Sequence, residues 1–269
     1  AVMLRAMENK YIDGPMGQVH VRELGEGPAL VLLHQTAWSS LQFKHAMPFL
    51  AKRGIRCVAV DTPGFGLSDG PYDPPSIEDY AESLAETLKK IGLPKAAVLG
   101  HHTGASIAAA FASSHPEMVS QLLLHGVPIY TPEKRAERLA KPHFDQTPKA
   151  DGSHFTDRWV LGDTVSGGSA TPEALHWSLV HFFWAGSNEW FGHHAAFKYD
   201  MEADFKSLTV PTVVVSNTGD VLHERMPYLR EIRPDITYSE LDGGTFHIIF
   251  EEAERWASLV ADHVLGANS

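Results

Sequence analysis

The chain has 269 residues, 43% hydrophobic and 20% charged, a composition that suits a folded globular protein and excludes a disordered one. Its 22 basic and 33 acidic residues leave a net charge of −11, which argues against nucleic acid or an anionic membrane as partner. The single cysteine, Cys57, rules out an internal disulfide and favours a cytoplasmic location. No apolar run is long enough to span a bilayer, and Ala1-Val2-Met3-Leu4-Arg5 lacks the basic start and apolar stretch of a leader.

In chain order, Tyr11-Ile12-Asp13 reads as a short strand. Gln18 to Glu23 alternates as a half-exposed strand, and Ala29 to Leu33 is a continuous apolar run suited to burial on both faces of a parallel sheet. A helix is predicted over Phe43 to Lys52 and a strand over Arg56 to Val60. The fixed turn Asp61-Thr62-Pro63-Gly64-Phe65-Gly66-Leu67-Ser68-Asp69 follows. Ser76 and Asp79 resemble a capping box, opening a helix with Ile77, Tyr80, Leu84, Leu88 and Ile91 on one face. The strand Ala96 to Leu99 leads into Gly100-His101-His102-Thr103-Gly104 and a helix of small residues. A strand at Gln121 to Leu124 comes next.

This strand–helix alternation predicts an α/β fold. The rhythm breaks over residues 127–208, a stretch dense in aromatics that holds Trp159, Trp177, Trp184 and Trp190. It reads as a helical cap inserted between core segments 1–126 and 209–269. Phe183, Trp184 and Trp190 are its candidates for lining a substrate pocket, although aromatics there also serve to glue cap to sheet. Strands at Val210 to Val215 and Ile236 to Leu241 resume the rhythm, with helices over Glu224 to Arg233 and Glu251 to Leu265.

Strand, Gly-x-x-x-Gly, helix is the context of a nucleophile elbow, whose glycines let the chain turn sharply and present its middle residue, here His102. Asp220 and His247 also follow strands, so three chemically able groups gather at the strand ends in the order His102, Asp220, His247. With Leu32-Leu33-His34, the Asp61–Ser68 segment, Asn217-Thr218-Gly219-Asp220 and Gly243-Gly244-Thr245-Phe246-His247, the chain resembles the α/β-hydrolase superfamily, near its esterase, carbon–carbon hydrolase, haloperoxidase-like and epoxide hydrolase members. The resemblance implies a mostly parallel eight-stranded sheet with flanking helices and an inserted cap. It makes His247 the base and Asp220 the carboxylate that orients it, with oxyanion-hole N–H groups from Thr36 and Thr103. His34 becomes a structural residue.

The chain departs from that pattern at two places. His102 stands where Ser, Cys or Asp is usual, and Gln35 stands where glycine is usual. Imidazole at an elbow is open to several roles: a nucleophile forming an acyl-imidazole, a base working with His247, a metal ligand, or a group that only binds. Gln35 adds a side-chain amide near the site, and Trp38 is a candidate pocket wall. The expected function is hydrolysis of a small carbonyl substrate (ester, lactone or carbon–carbon bond) without a cofactor. A lyase, decarboxylase or cofactor-free oxygenase and a non-catalytic binding protein are the alternatives. No histidine spacing matches a helical zinc motif. A homo-oligomer is compatible with the sequence.

Overall fold

The computed structural model describes residues 7–266, so the five N-terminal residues judged above lie outside the described residues. Its elements are β1 (Glu8–Gly14), β2 (Gly17–Leu24), β3 (Ala29–Leu33), α1 (Met47–Lys52), β4 (Arg56–Val60), α2 (Ile77–Lys90), β5 (Ala96–His101), α3 (Thr103–Ser114) and β6 (Val119–His125). Then come α4 (Pro132–Leu139), α5 (Ser153–Val165), α6 (Pro172–Ala185), α7 (Phe191–Lys198), α8 (Met201–Ser207), β7 (Thr212–Asn217), α9 (Met226–Ile232), β8 (Thr237–Leu241), α10 (Ile248–Glu251) and α11 (Ala253–Gly266).

The strands form one eight-stranded sheet in the order β1-β2-β4-β3-β5-β6-β7-β8. β1 with β2 and β2 with β4 are antiparallel, and every later pair is parallel. The side-chain period of two explains the burial. Val31, Leu33, Val58, Val60 and Val98 join the cluster under α2 and α3, whereas Leu30, Leu32, Ala59, Ala97 and Leu99 join the cluster under α1 and α11. Cys57 belongs to the second cluster and is fully buried, which pushes its thiol up to about 12.

Local chemistry sets the element ends. Ser76 accepts from the Asp79 N–H while Asp79 accepts from the Ser76 N–H, which makes the capping box of α2. The helix predicted over Phe43–Lys52 divides into a 3-10 turn at Ser40–Phe43 and α1, because Pro48 fits only the first turn of a helix. The closing helix likewise divides into α10 and α11. β1 is longer than its three predicted residues because its whole length pairs with β2 while its own side chains stay mostly outside the core.

Helices α4 to α8 lie between β6 and β7. α7 and α8 are not detached from the sheet: Ala195, Ala196, Met201 and Phe205 share the core cluster with α3.

Candidate active site

The elbow is a packing solution. A Cβ on Gly100 would lie 2.0 Å from the Gly104 oxygen, and one on Gly104 would lie 2.3 Å from the Leu33 oxygen, so neither position tolerates a side chain. With α3 pressed this close to the sheet, the turn falls on His102, at φ 52 and ψ −114. It is the one non-glycine residue with positive φ among the described residues. Such backbone costs roughly 1–3 kcal/mol and is held by its surroundings. Here the His102 N–H donates to the His125 oxygen at 2.9 Å.

The loops beside the elbow are equally determined. Asp61 accepts from His20 Nδ1 (2.8 Å), the Ser40 N–H (2.6 Å) and the Leu67 N–H (2.9 Å). Burial works against its charge, yet His20 and these donors hold its carboxyl at about 2. His34 donates from Nδ1 to the Gln35 oxygen and accepts the Thr62 N–H at Nε2, a structural role that fixes its tautomer. Burial lowers it to about 4.

The three strand-end groups are arranged differently from the expected triad. Asp220 Oδ2 lies 2.7 Å from His102 Nε2, and Oδ1 accepts the Leu222 N–H at 2.7 Å. Burial opposes its ionisation, but His102 and His101 keep the carboxyl well below the usual range. An ionised Asp220 requires the proton on His102 Nε2, so the lone pair of neutral His102 is on Nδ1. The expected bond between Asp220 and His247 is absent. His247 is 2% exposed, its Nδ1 is buried with no partner, and its ring packs 5.5 Å from Trp38. Burial, reinforced by His102 and Arg158, pulls its imidazole down to about 3. The physical reason is reach: an elbow imidazole extends to the carboxylate that a shorter elbow residue would leave to the other histidine.

Gly126 makes room for this pairing. A Cβ there would lie 2.4 Å from His102 Cδ2 and 3.4 Å from Asp220 Oδ2. Behind the pair runs a buried network. Gln42 accepts the Gln35 N–H and donates to His101 Nδ1 at 2.7 Å, directing His101 Nε2 toward Asp220 at 3.9 Å. Trp256 Nε1 donates to His125 Nδ1, and His125 Nε2 donates to Asn217 Oδ1. Asn217 Nδ2 donates to the oxygens of Gly243 and Thr245, which fixes the loop carrying His247. His101, His125 and Asp220 are close enough to hold a metal ion, but hydrogen bonds already engage both His125 nitrogens, both Asp220 oxygens and His101 Nδ1. Burial lowers His101 well below its ordinary value and His125 to about 4.

A cavity of about 510 Å³ opens over His102, within the range of small-molecule sites. Gln35, Thr36, Trp38 and Thr103 line it, as do Phe182, Phe246, Arg138 and Arg158. The Gln35 amide donates to the Phe246 oxygen at 3.3 Å. Among the cap residues singled out from sequence, Trp190 lines an adjoining cavity of about 230 Å³. Phe183 and Trp184 line neither. Ser178 and Phe182 sit four apart on the cavity face of α6, which turns Phe183 onto Phe155 and His154. Trp184 is 67% exposed and donates to the Gly66 oxygen. Gln42, His125, Gly126 and the two arginines were not among the candidates drawn from sequence, and Asn217 entered only within the Asn217–Asp220 segment. Only the glycine directly after a strand end offered a signal.

Comparison with known proteins agrees with this architecture. A family model described as alpha/beta hydrolase fold matches residues 28–254. Bifunctional epoxide hydrolase 2 of Rattus norvegicus is 33% identical over 120 residues, covering 43% of this chain and 21% of that protein. A 2-hydroxy-6-oxononadienedioate/2-hydroxy-6-oxononatrienedioate hydrolase of Burkholderia vietnamiensis is 37% identical over 129 residues, 44% of each chain. The matched segment thus spans less than half the length of either relative. Among solved structures, an epoxide hydrolase from Vigna radiata superposes with TM-score 0.76 at 16% identity, covering 97% of this chain and 98% of that one. An epoxide hydrolase from an endophytic Streptomyces gives 0.78 at 20% identity, covering 98% and 97%. The family-model match over most of its length, joined to the sheet order and the elbow, makes the chain a member of the α/β-hydrolase family.

Proposed function

We propose that the protein hydrolyses a small carbonyl compound (an ester, a lactone or a β-diketone-type carbon–carbon bond), with His102 as general base and Asp220 as its orienting carboxylate. The observation that carries this reading is the 2.7 Å bond between Asp220 Oδ2 and His102 Nε2, at the floor of the cavity. His102 Nδ1 takes a proton from water, and the resulting hydroxide adds to the carbonyl carbon. Asp220 stabilises the imidazolium that forms. The tetrahedral oxyanion is received by the backbone N–H groups of Thr36 and Thr103. It collapses as Nδ1 returns the proton to the leaving oxygen or carbon. His247 is not the base in this reading, because its buried Nδ1 meets no carboxylate and burial disfavours the imidazolium that accepting a proton would form.

The test compares His102→Gln with His247→Gln on a panel of activated aryl esters, small lactones and β-diketones. His102→Gln is expected to lower kcat/KM by about 10²- to 10⁴-fold, and His247→Gln by much less. Absence of turnover across the panel, or an active His102→Gln protein, overturns the reading. A second reading is removal of a C–H proton beside a carbonyl. It is favoured by the same dyad, because residue 102 offers a base and no hydroxyl. Solvent deuterium entering an unhydrolysed ketone, lost in His102→Gln, would select it.

A further inference from the structure

The cavity over His102 has a charge pattern opposite to that of the chain. The protein carries 33 acidic and 22 basic residues. Histidines aside, the charged side chains lining this cavity are Arg138 and Arg158, and no carboxylate lines it. Arg158 Nε is buried without a hydrogen-bond partner. Its guanidinium carbon lies 4.3 Å from the Phe182 ring centroid, a cation–π contact at the cavity wall. The carboxylate acting on it electrostatically is Glu189, which lines the adjoining cavity together with both arginines. Burial raises the Glu189 carboxyl to about 7, so much of its compensating charge is missing at neutral pH. A sheltered guanidinium with an unpartnered Nε is costly, and a carboxylate matches its fork with two parallel hydrogen bonds.

We infer that Arg138 and Arg158 form a subsite for the carboxylate of a small, otherwise apolar substrate, placing the substrate's reacting carbonyl toward His102. Phe182, Phe197 and Phe246 supply the apolar wall for the rest of the molecule. This assignment rests on the cavity being the substrate site proposed above, but its test reads binding and not turnover.

Calorimetric titration of the full chain with benzoate and phenylacetate, against benzamide and phenylacetamide, measures the preference directly. The acids are expected to bind at least about tenfold more tightly than their amides, the scale of a charge-assisted pair. The preference is expected to collapse in Arg158→Gln, weaken in Arg138→Gln, survive in part in Arg158→Lys, and shrink with added sodium chloride. If Arg158→Gln does not fold, Arg158→Lys, Arg138→Gln and the salt series decide. Amides binding as well as acids, acid affinity unchanged in both glutamine variants, no binding of either acid, or inorganic phosphate competing as well as benzoate would each overturn the assignment. Failure of the catalytic reading has a different signature: a His102→Ala protein that still turns over substrate while the acid preference stands.

Discussion

At residue 102 the chain places an imidazole on a backbone turn that few side chains accept, and it aims that ring at a carboxylate 2.7 Å away. Two substitutions separate charge from position. Asp220→Asn leaves the volume nearly unchanged but removes the charge that stabilises an imidazolium. On a substrate that the native protein turns over, kcat/KM is expected to fall by about 10²- to 10⁴-fold with little change in KM. Gly126→Ala keeps the charge but occupies the ring's place, since the new Cβ would lie 2.4 Å from His102 Cδ2 at a φ of +64. It is expected to cost as much activity as Asp220→Asn. A downfield proton resonance is expected from the short His102–Asp220 bond in the native protein, and Gly126→Ala should abolish it. A variant that retains that resonance and full activity would show that the ring has room to move. His101 stands behind the carboxylate and also packs on the His102 ring, 4.3 Å between centroids, while Gln42 holds His101 Nδ1 and accepts the Gln35 N–H, so the two brace the dyad from the side away from the cavity.

Among the elements, α2 shows most plainly how sequence dictates structure. Its buried face of Ile77, Tyr80, Leu84 and Leu88 follows helical spacing, and its start is fixed by Ser76 and Asp79. Ser76→Ala is expected to lower unfolding stability by about 1 kcal/mol, measured as a shift in urea midpoint at constant m-value. Such features were legible because they are local: spacing along a helix, alternation along β3, glycines around a turn. The mostly parallel eight-stranded sheet could be read only as a family expectation, and the partner expected for Asp220, His247, came from the same resemblance and not from the residues themselves. The partner it takes depends on which imidazole reaches the carboxylate in space, and the reach is set by Gly126, 24 residues beyond His102 in the chain. The split between Phe182 and Phe183 was hidden for a similar reason. Adjacent helix positions face directions about 100° apart, so a cluster of aromatics does not reveal which of its members meets the cavity.

For the molecule as a whole, the buried histidines predict acid sensitivity. His34 and His125 are lowered to about 4 and His247 to about 3, burial being the first cause in each, against about 6.5 in an unfolded chain. Below pH 6.5 the unfolded chain therefore binds protons that the native protein refuses. Stability is complete above that pH and declines as pH falls toward 4, with a slope of about 1.4 kcal/mol per pH unit for each fully contributing histidine. Asp61, held at about 2, adds its own loss only below the ordinary carboxylate range near 4. Urea midpoints at pH 7.5, 6.0 and 5.0 should fall steadily, and an unchanged midpoint across that range would contradict the burial of these rings. None of the helices among the described residues is long and apolar enough to cross a membrane.

The thiol of Cys57, shut inside the sheet and pushed up to about 12, has a practical consequence. It is too protonated and too enclosed to meet an alkylating reagent in the native state. The wild-type chain is thus a blank for thiol chemistry, and a single cysteine introduced on any exposed helix would be the sole point of attachment. A donor dye on α5 and an acceptor coupled by other means on the sheet would then report, molecule by molecule, whether the helices over the cavity move when it fills.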